Sequence, residues 1–171
     1  LNMRKIIILL CALCFTVKGM CQSHHGFSVK QVEPTFKNID YAGDGLEGHL
    51  MDIYLPSDVK GKHKVIIAIY GSAWFANNMK SAAFFSIGKP LIDSGFAVVC
   101  INHRSSGDAK FPAQIHDVKA AIRHLRANAG KYGLDTSFIG VTGFSSGGHL
   151  ASLAGVTNGI KTRTVGNTTV D

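Results

Sequence analysis

Five residues, Gly143-Phe144-Ser145-Ser146-Gly147, set a serine between two glycines in the spacing G-x-S-x-G. A serine hydroxyl is a weak nucleophile unless it stands clear of the backbone, beside a base and beside donors for the negative charge its attack creates. A turn sharp enough to lift Ser145 out crowds the chain on either side, so the flanking positions must lack side chains. Gly143 and Gly147 meet that need. The first amide of a following helix, that of Ser146, then points at the place where an oxyanion would develop. Ser146 is not itself the nucleophile in this frame, because the glycine it would need two residues earlier is Phe144.

The motif has meaning only between a strand and a helix. Phe138 to Thr142 is the apolar run before it, and Leu150, Ala151, Leu153 and Ala154 follow. A second loop of interest ends another strand. Val65-Ile66-Ile67-Ala68-Ile69 is apolar throughout, the pattern of a strand covered on both faces, and it runs into Tyr70-Gly71-Ser72-Ala73-Trp74. Leu50 to Leu55 alternates and stops at Pro56, which reads as an outer strand. Lys80 to Asp93 reads as helical, with Pro90 kinking it or starting a second short helix, and Gly95 ending it. Phe96 to Ile101 is the next buried strand. From Phe111-Pro112-Ala113-Gln114 a helix follows, with Ile115, Val118, Ile122, Leu125 and Ala129 on one face, closed by Gly130 or Gly133. Strands alternating with helices predict an α/β fold, a doubly wound and mostly parallel sheet.

The chain has 171 residues, 46% of them hydrophobic, enough for one real core. Arg4-Lys5 followed by the apolar run Ile6 to Val17 has the parts of a secretory signal, with cleavage expected after Cys21 and Gln22 as the new terminus. That predicts an exported protein, periplasmic or secreted; acylation of Cys21 as a lipoprotein is the weaker variant, since Met20 precedes it. The expected layout is a signal over 1–21, a loose segment over 22–38 and a partial domain over 39–171. Setting 1–21 aside lowers the net charge from +7 to +4 and leaves Cys100 as the one cysteine. No basic stripe with interleaved aromatics suggests nucleic acid, no stable membrane span is expected after signal removal, no metal-ligand cluster is legible, and no cofactor is implied.

On the two loops, the chain resembles the α/β-hydrolase superfamily, in its acetyl esterase/lipase group related to hormone-sensitive lipase and to acetyl xylan and feruloyl esterases. The likeness covers roughly Gly48 to Gly155. In that family a His-Gly-Gly-Gly/Ala-Trp loop completes the oxyanion hole. Tyr70-Gly71-Ser72-Ala73-Trp74 is similar to it, with Tyr70 in place of the histidine and side chains at Ser72 and Ala73. The resemblance implies oxyanion donors from Ser72 and Ala73 beside Ser146, with Ser145 as nucleophile. Trp74 either lines an acyl or sugar pocket or packs in the core. Arg104 and Asp117 match a structural contact of the family. The implied activity is ester hydrolysis through an acyl-enzyme, on acetyl or similar short acyl esters of a small molecule or acylated carbohydrate.

The family's chain order is serine, acid, histidine. After Ser145 only His149 and Asp171 are available: His149 falls on the first turn of the helix, where capping or packing suits it, and Asp171 comes too soon. His103 and His116 precede the serine. The expectation is therefore a sequence truncated after the nucleophile helix and inactive alone. Three other readings stay open: a prolyl-oligopeptidase-like serine peptidase; a nucleotide-binding reductase, from the T-G-x-x-x-G run Thr142 to Gly147; and a non-catalytic interaction domain.

Overall fold

The structure, a computed structural model, describes residues 32–57 and 60–157. The expected signal over 1–21, the loose segment up to Gln31 and Asp171 lie outside the described residues. A compact unit begins at Glu33.

Five strands form its sheet: β1 (Phe36–Asp40), β2 (Leu50–Tyr54), β3 (His63–Ile69), β4 (Ala97–Ile101) and β5 (Leu134–Gly143). Their spatial order is β1-β2-β4-β3-β5. β4, β3 and β5 run parallel, whereas β2 pairs antiparallel with both β1 and β4. The sheet is thus mixed, with its parallel half where the apolar runs are. Two expectations shift. The stretch read as loose up to Asn38 enters β1 at Phe36, so Leu50–Tyr54 is not the outermost strand. β1 escapes the eye because only Phe36 and Ile39 of its five residues are apolar and a register shift separates those two.

Every residue of β4 is buried, since it lies mid-sheet with helices on both sides. Alternation sorts the two layers. Val65, Ile67 and Ile69 of β3 and Ala97, Val99 and Ile101 of β4 join one core with Ile115, Val118, Ala121 and Leu125 of α3 (Ala113–Ala127) and Leu150 of α5 (Ser146–Val156). Each such Val, Ile or Leu contributes about 1.5–3 kcal/mol by leaving water. The opposite face is covered by α1 (Lys80–Ala83), a π-helical turn (Phe84–Gly88) and α2 (Lys89–Asp93), in whose first turn Pro90 is placed. There Phe84 stacks on Tyr54 of β2 with centroids 3.8 Å apart. Gly95, at φ +87°, ends α2 as expected, and Gly133, at φ +65°, ends the short α4 (Ala129–Tyr132).

Candidate active site

The elbow after β5 is built by close packing that only glycine permits. A Cβ on Gly143 would lie 2.4 Å from the Gly147 carbonyl carbon, and one on Gly147 would lie 2.3 Å from the Ile69 oxygen. Between them Ser145 takes φ +53° and ψ −122°, a conformation costing a non-glycine residue about 1–3 kcal/mol that persists only where its surroundings enforce it. The enforcement is visible: Phe144 N–H donates to Ile69 O (3.3 Å), Gly147 N–H to Phe144 O (2.9 Å) and His149 N–H to Ser145 O (3.1 Å). Ser145 is left exposed at the head of α5.

Against this elbow lies the loop after β3. Gly71 is its closest approach, for a Cβ there would sit 2.5 Å from Phe144 O and 2.8 Å from the Ser145 Cβ. Tyr70 shapes the loop from below. Its ring stacks on His103 with centroids 4.9 Å apart, and its hydroxyl donates to Ala76 O at 3.0 Å, pinching residues 70–76 closed. Burial pushes the phenol up to about 12, so it remains a donor. Ser106 N–H adds a tie from the loop after β4, donating to Trp74 O at 2.8 Å.

Of the three expected oxyanion donors, the structure alters one. Ser72 N–H is not free: it donates to the Ser146 hydroxyl at 3.0 Å. The polar side chain at 146 supplies a competing acceptor for that amide. The amides of Ala73 and Ser146 have no acceptor among the described residues. Ala73 stands at φ +48° and Trp74 at φ +64°, so the loop keeps a glycine-like backbone without glycine at either position.

Trp74 faces a cavity of about 290 Å³ together with Ala73, Phe75, Phe111, His149 and Leu150. Phe75 and Phe111 are 81% and 69% exposed and give it an aromatic rim. His149 meets Trp74 edge-on, with centroids 5.4 Å apart and rings at 85°. The His149 ring is therefore turned toward the cavity rather than bonded to the Ser145 hydroxyl. His103 is fully buried and donates through Nδ1 to Arg104 O (2.9 Å); burial holds its pKa down and keeps it neutral. No described histidine ring hydrogen-bonds the Ser145 hydroxyl, and Asp171 lies outside the described residues.

Behind the site, Asp117 of α3 accepts from Arg104 N–H (2.9 Å) and from its guanidinium (2.6 Å), which is the contact expected from sequence. A third member was missed. His49 reaches Asp117 through Nε2 at 3.2 Å and Asp44 through Nδ1 at 2.8 Å, binding the segment before β2 to α3. Hydrogen bonding to Asp117 raises its pKa against the opposing effect of burial, with Asp44 assisting. Only the sequence separation of 68 residues hid it. Among the described residues there is no cluster of His, Cys, Asp or Glu that could hold a metal, and no helix long and apolar enough to cross a membrane.

Comparison with known proteins places this geometry among relatives. Residues 51–169 match the BD-FAE family model. The chain is 38% identical over 122 residues to LipM of Mycobacterium tuberculosis, a probable carboxylic ester hydrolase, covering 70% of this chain and 28% of that protein. It is 71% identical to a bifunctional GH43-CE of Bacteroides eggerthii, with a TM-score of 0.73, covering 80% of this chain and 19% of the other. A truncated form of a carbohydrate esterase from gut microbiota is 62% identical, with a TM-score of 0.75, over 83% of this chain and half of that one. The chain thus spans about 28% of the length of LipM and of LipQ, an esterase of the same organism.

Proposed function

The chain belongs to the BD-FAE family, and from that premise we propose that the protein is a carboxylic ester hydrolase with Ser145 as its nucleophile. Ser145 Oγ attacks the ester carbonyl carbon while its proton passes to a histidine base. The carbonyl oxygen becomes an oxyanion facing the amides of Ser146 and Ala73. Collapse expels the alcohol and leaves an acyl-Ser145, which water then hydrolyses. The observation that carries this reading is the exposed Ser145 at φ +53°, pressed against Gly71 of the neighbouring loop. A reversal that costs free energy and projects a hydroxyl beside unused amides suits acyl transfer better than nucleotide binding.

The cavity and the relatives support a substrate class. Short acyl esters, including those on carbohydrate, fit an aromatic-rimmed cleft of about 290 Å³, and one similar solved structure is a carbohydrate esterase. Residues 1–171 alone should be close to inactive, because no described histidine ring bonds the Ser145 hydroxyl; removing the base from a serine triad costs on the order of 10⁶ in kcat. Residues 1–21 are proposed to direct export, which N-terminal sequencing of the exported protein checks by finding Gln22 first.

The test is covalent. A fluorophosphonate applied to the native protein should modify Ser145, as located by mass spectrometry, and Ser145→Ala should abolish labelling. Acetylated sugars, feruloyl esters and proline-containing peptides assayed side by side then separate esterase from peptidase. Labelling elsewhere, or hydrolysis that survives Ser145→Ala, would overturn the proposal.

A further inference from the structure

The reaction as proposed uses the Ser146 amide and leaves its side chain without a task. That side chain is nevertheless conspicuous. Ser146 is only 3% exposed, and its hydroxyl accepts the Ser72 N–H at 3.0 Å across 74 residues of sequence. We infer that Ser146 is a positioning residue through its hydroxyl, which locks Ser72 and thereby aims the Ala73 amide at the developing oxyanion. This rests on the esterase reading and goes beyond it, by giving the residue after the nucleophile a second role.

Ser72 is tied at three atoms. Its N–H donates to Ser146 Oγ, its carbonyl accepts from Phe75 N–H at 2.9 Å, and its hydroxyl accepts from Ala76 N–H at 3.3 Å. The last two ties are internal to the loop and close it on itself; they do not fix where the loop stands. Of the three, only the Ser146 bond joins Ser72 to the elbow. The two residues that follow, Ala73 and Trp74, both take left-handed backbone, which costs L-residues roughly 1–2 kcal/mol each. A strained pair of this kind relaxes unless an anchor holds its start. Ser146 is suited to that task because it begins α5 and is buried there. One residue therefore gives one donor amide directly and sets the place of the other through its side chain, so the spacing between the two donors is fixed by a single bonded unit.

Removing the hydroxyl should leave substrate binding alone and weaken transition-state stabilisation. Deleting an oxyanion donor outright costs about 10²–10³ in kcat, and loosening one should cost roughly tenfold. In the native protein, Ser146→Ala is expected to lower kcat per phosphonate-titrated site about tenfold with KM unchanged, and Ser146→Thr, which keeps the hydroxyl, to recover most of it. A merely structural role would lower the titrated fraction or Tm and leave kcat per site intact. Ser146→Ala with unchanged or higher kcat per site would overturn the inference, the higher value meaning that the released Ser72 amide serves the oxyanion directly. A well-folded Ser146→Thr no better than Ser146→Ala would also overturn it. Failure of the unsubstituted protein to label at Ser145 would overturn the esterase reading and this inference together, whereas labelling with an unaffected Ser146→Ala removes this inference alone.

Discussion

Gly71→Ala is the sharpest probe of whether the loop after β3 works by pressing on the nucleophile turn. Gly71 is not among the residues at positive φ, so alanine suits its backbone and the perturbation is purely steric. The added Cβ would stand 2.5 Å from Phe144 O and 2.8 Å from the Ser145 Cβ, where ordinary contact begins at 3.4 Å. Relief therefore needs about 0.6–0.9 Å of separation between loop and elbow, and overpacking of that size costs about 1–3 kcal/mol. Both sides are backbone held by hydrogen bonds, so the shift cannot be absorbed by a rotamer. A misplacement near 1 Å at a catalytic constellation costs about 10²-fold in rate. The expected result is a loss of about two orders of magnitude in kcat/KM for p-nitrophenyl acetate by the native protein, with a Tm lowered by several degrees. Gly130→Ala is the matched control, because nothing lies within 4 Å of its Cβ and it sits in a helix. It should be neutral or stabilising by up to about 1 kcal/mol. Gly71→Ala that retains more than half of the parent's activity per folded molecule would refute the reasoning.

The His49 network predicts how stability varies with pH. His49 is held above its ordinary pKa, chiefly by its hydrogen bond to Asp117. Its contribution is complete below the unfolded value of about 6.5 and is lost as pH rises through the raised folded value. Tm should thus fall on going from slightly acidic to alkaline buffer, and the slope should flatten in His49→Gln; a parallel slope in the two would refute the assignment. Asp117 acts at the other end: burial pushes its pKa up, but hydrogen bonds from His49 and Arg104 outweigh that and hold it below the usual carboxylate range. Its share is lost only as pH falls through that lowered value. Cys100, fully buried in β4, has a thiol pushed far up by burial. It should resist a thiol-specific reagent in the folded protein and react on unfolding in urea; fast reaction in the native state would contradict the buried β4.

Much of this was legible because the informative residues act locally. Gly143 and Gly147 announce the elbow through sterics that operate within four residues, and the runs Val65–Ile69 and Phe96–Ile101 announce strands by being apolar on both faces. β1 was not legible, since an edge strand needs little apolar surface and its identity comes from pairing with β2. The hydrogen bond of the Ser72 amide was not legible for the same kind of reason. Its partner is a side chain 74 residues away, and no pattern within the loop encodes that meeting. His49 joins Asp117 and Arg104 in the same non-local way. Tyr70, which departs from the family's histidine, is explained once its ring is seen against His103 and its hydroxyl on Ala76.

The site's location follows from register. β3 pairs with β4 and β5 in parallel, and the pairs Ile69↔Ile101 and Ile69↔Gly143 bring the three strands to an end at one level. Three loops must then leave the sheet side by side: Tyr70–Trp74, Asn102–Ser106 and the Ser145 elbow. Parallel strands place ligand sites at such carboxyl ends because successive crossovers open a crevice there. Here the crevice is tied shut at its base by Ser106 N–H on Trp74 O and by Ser72 N–H on Ser146 Oγ, one bond from each neighbouring loop. The middle loop is gripped from both sides, which is what allows Ala73 and Trp74 to hold a left-handed backbone without glycine.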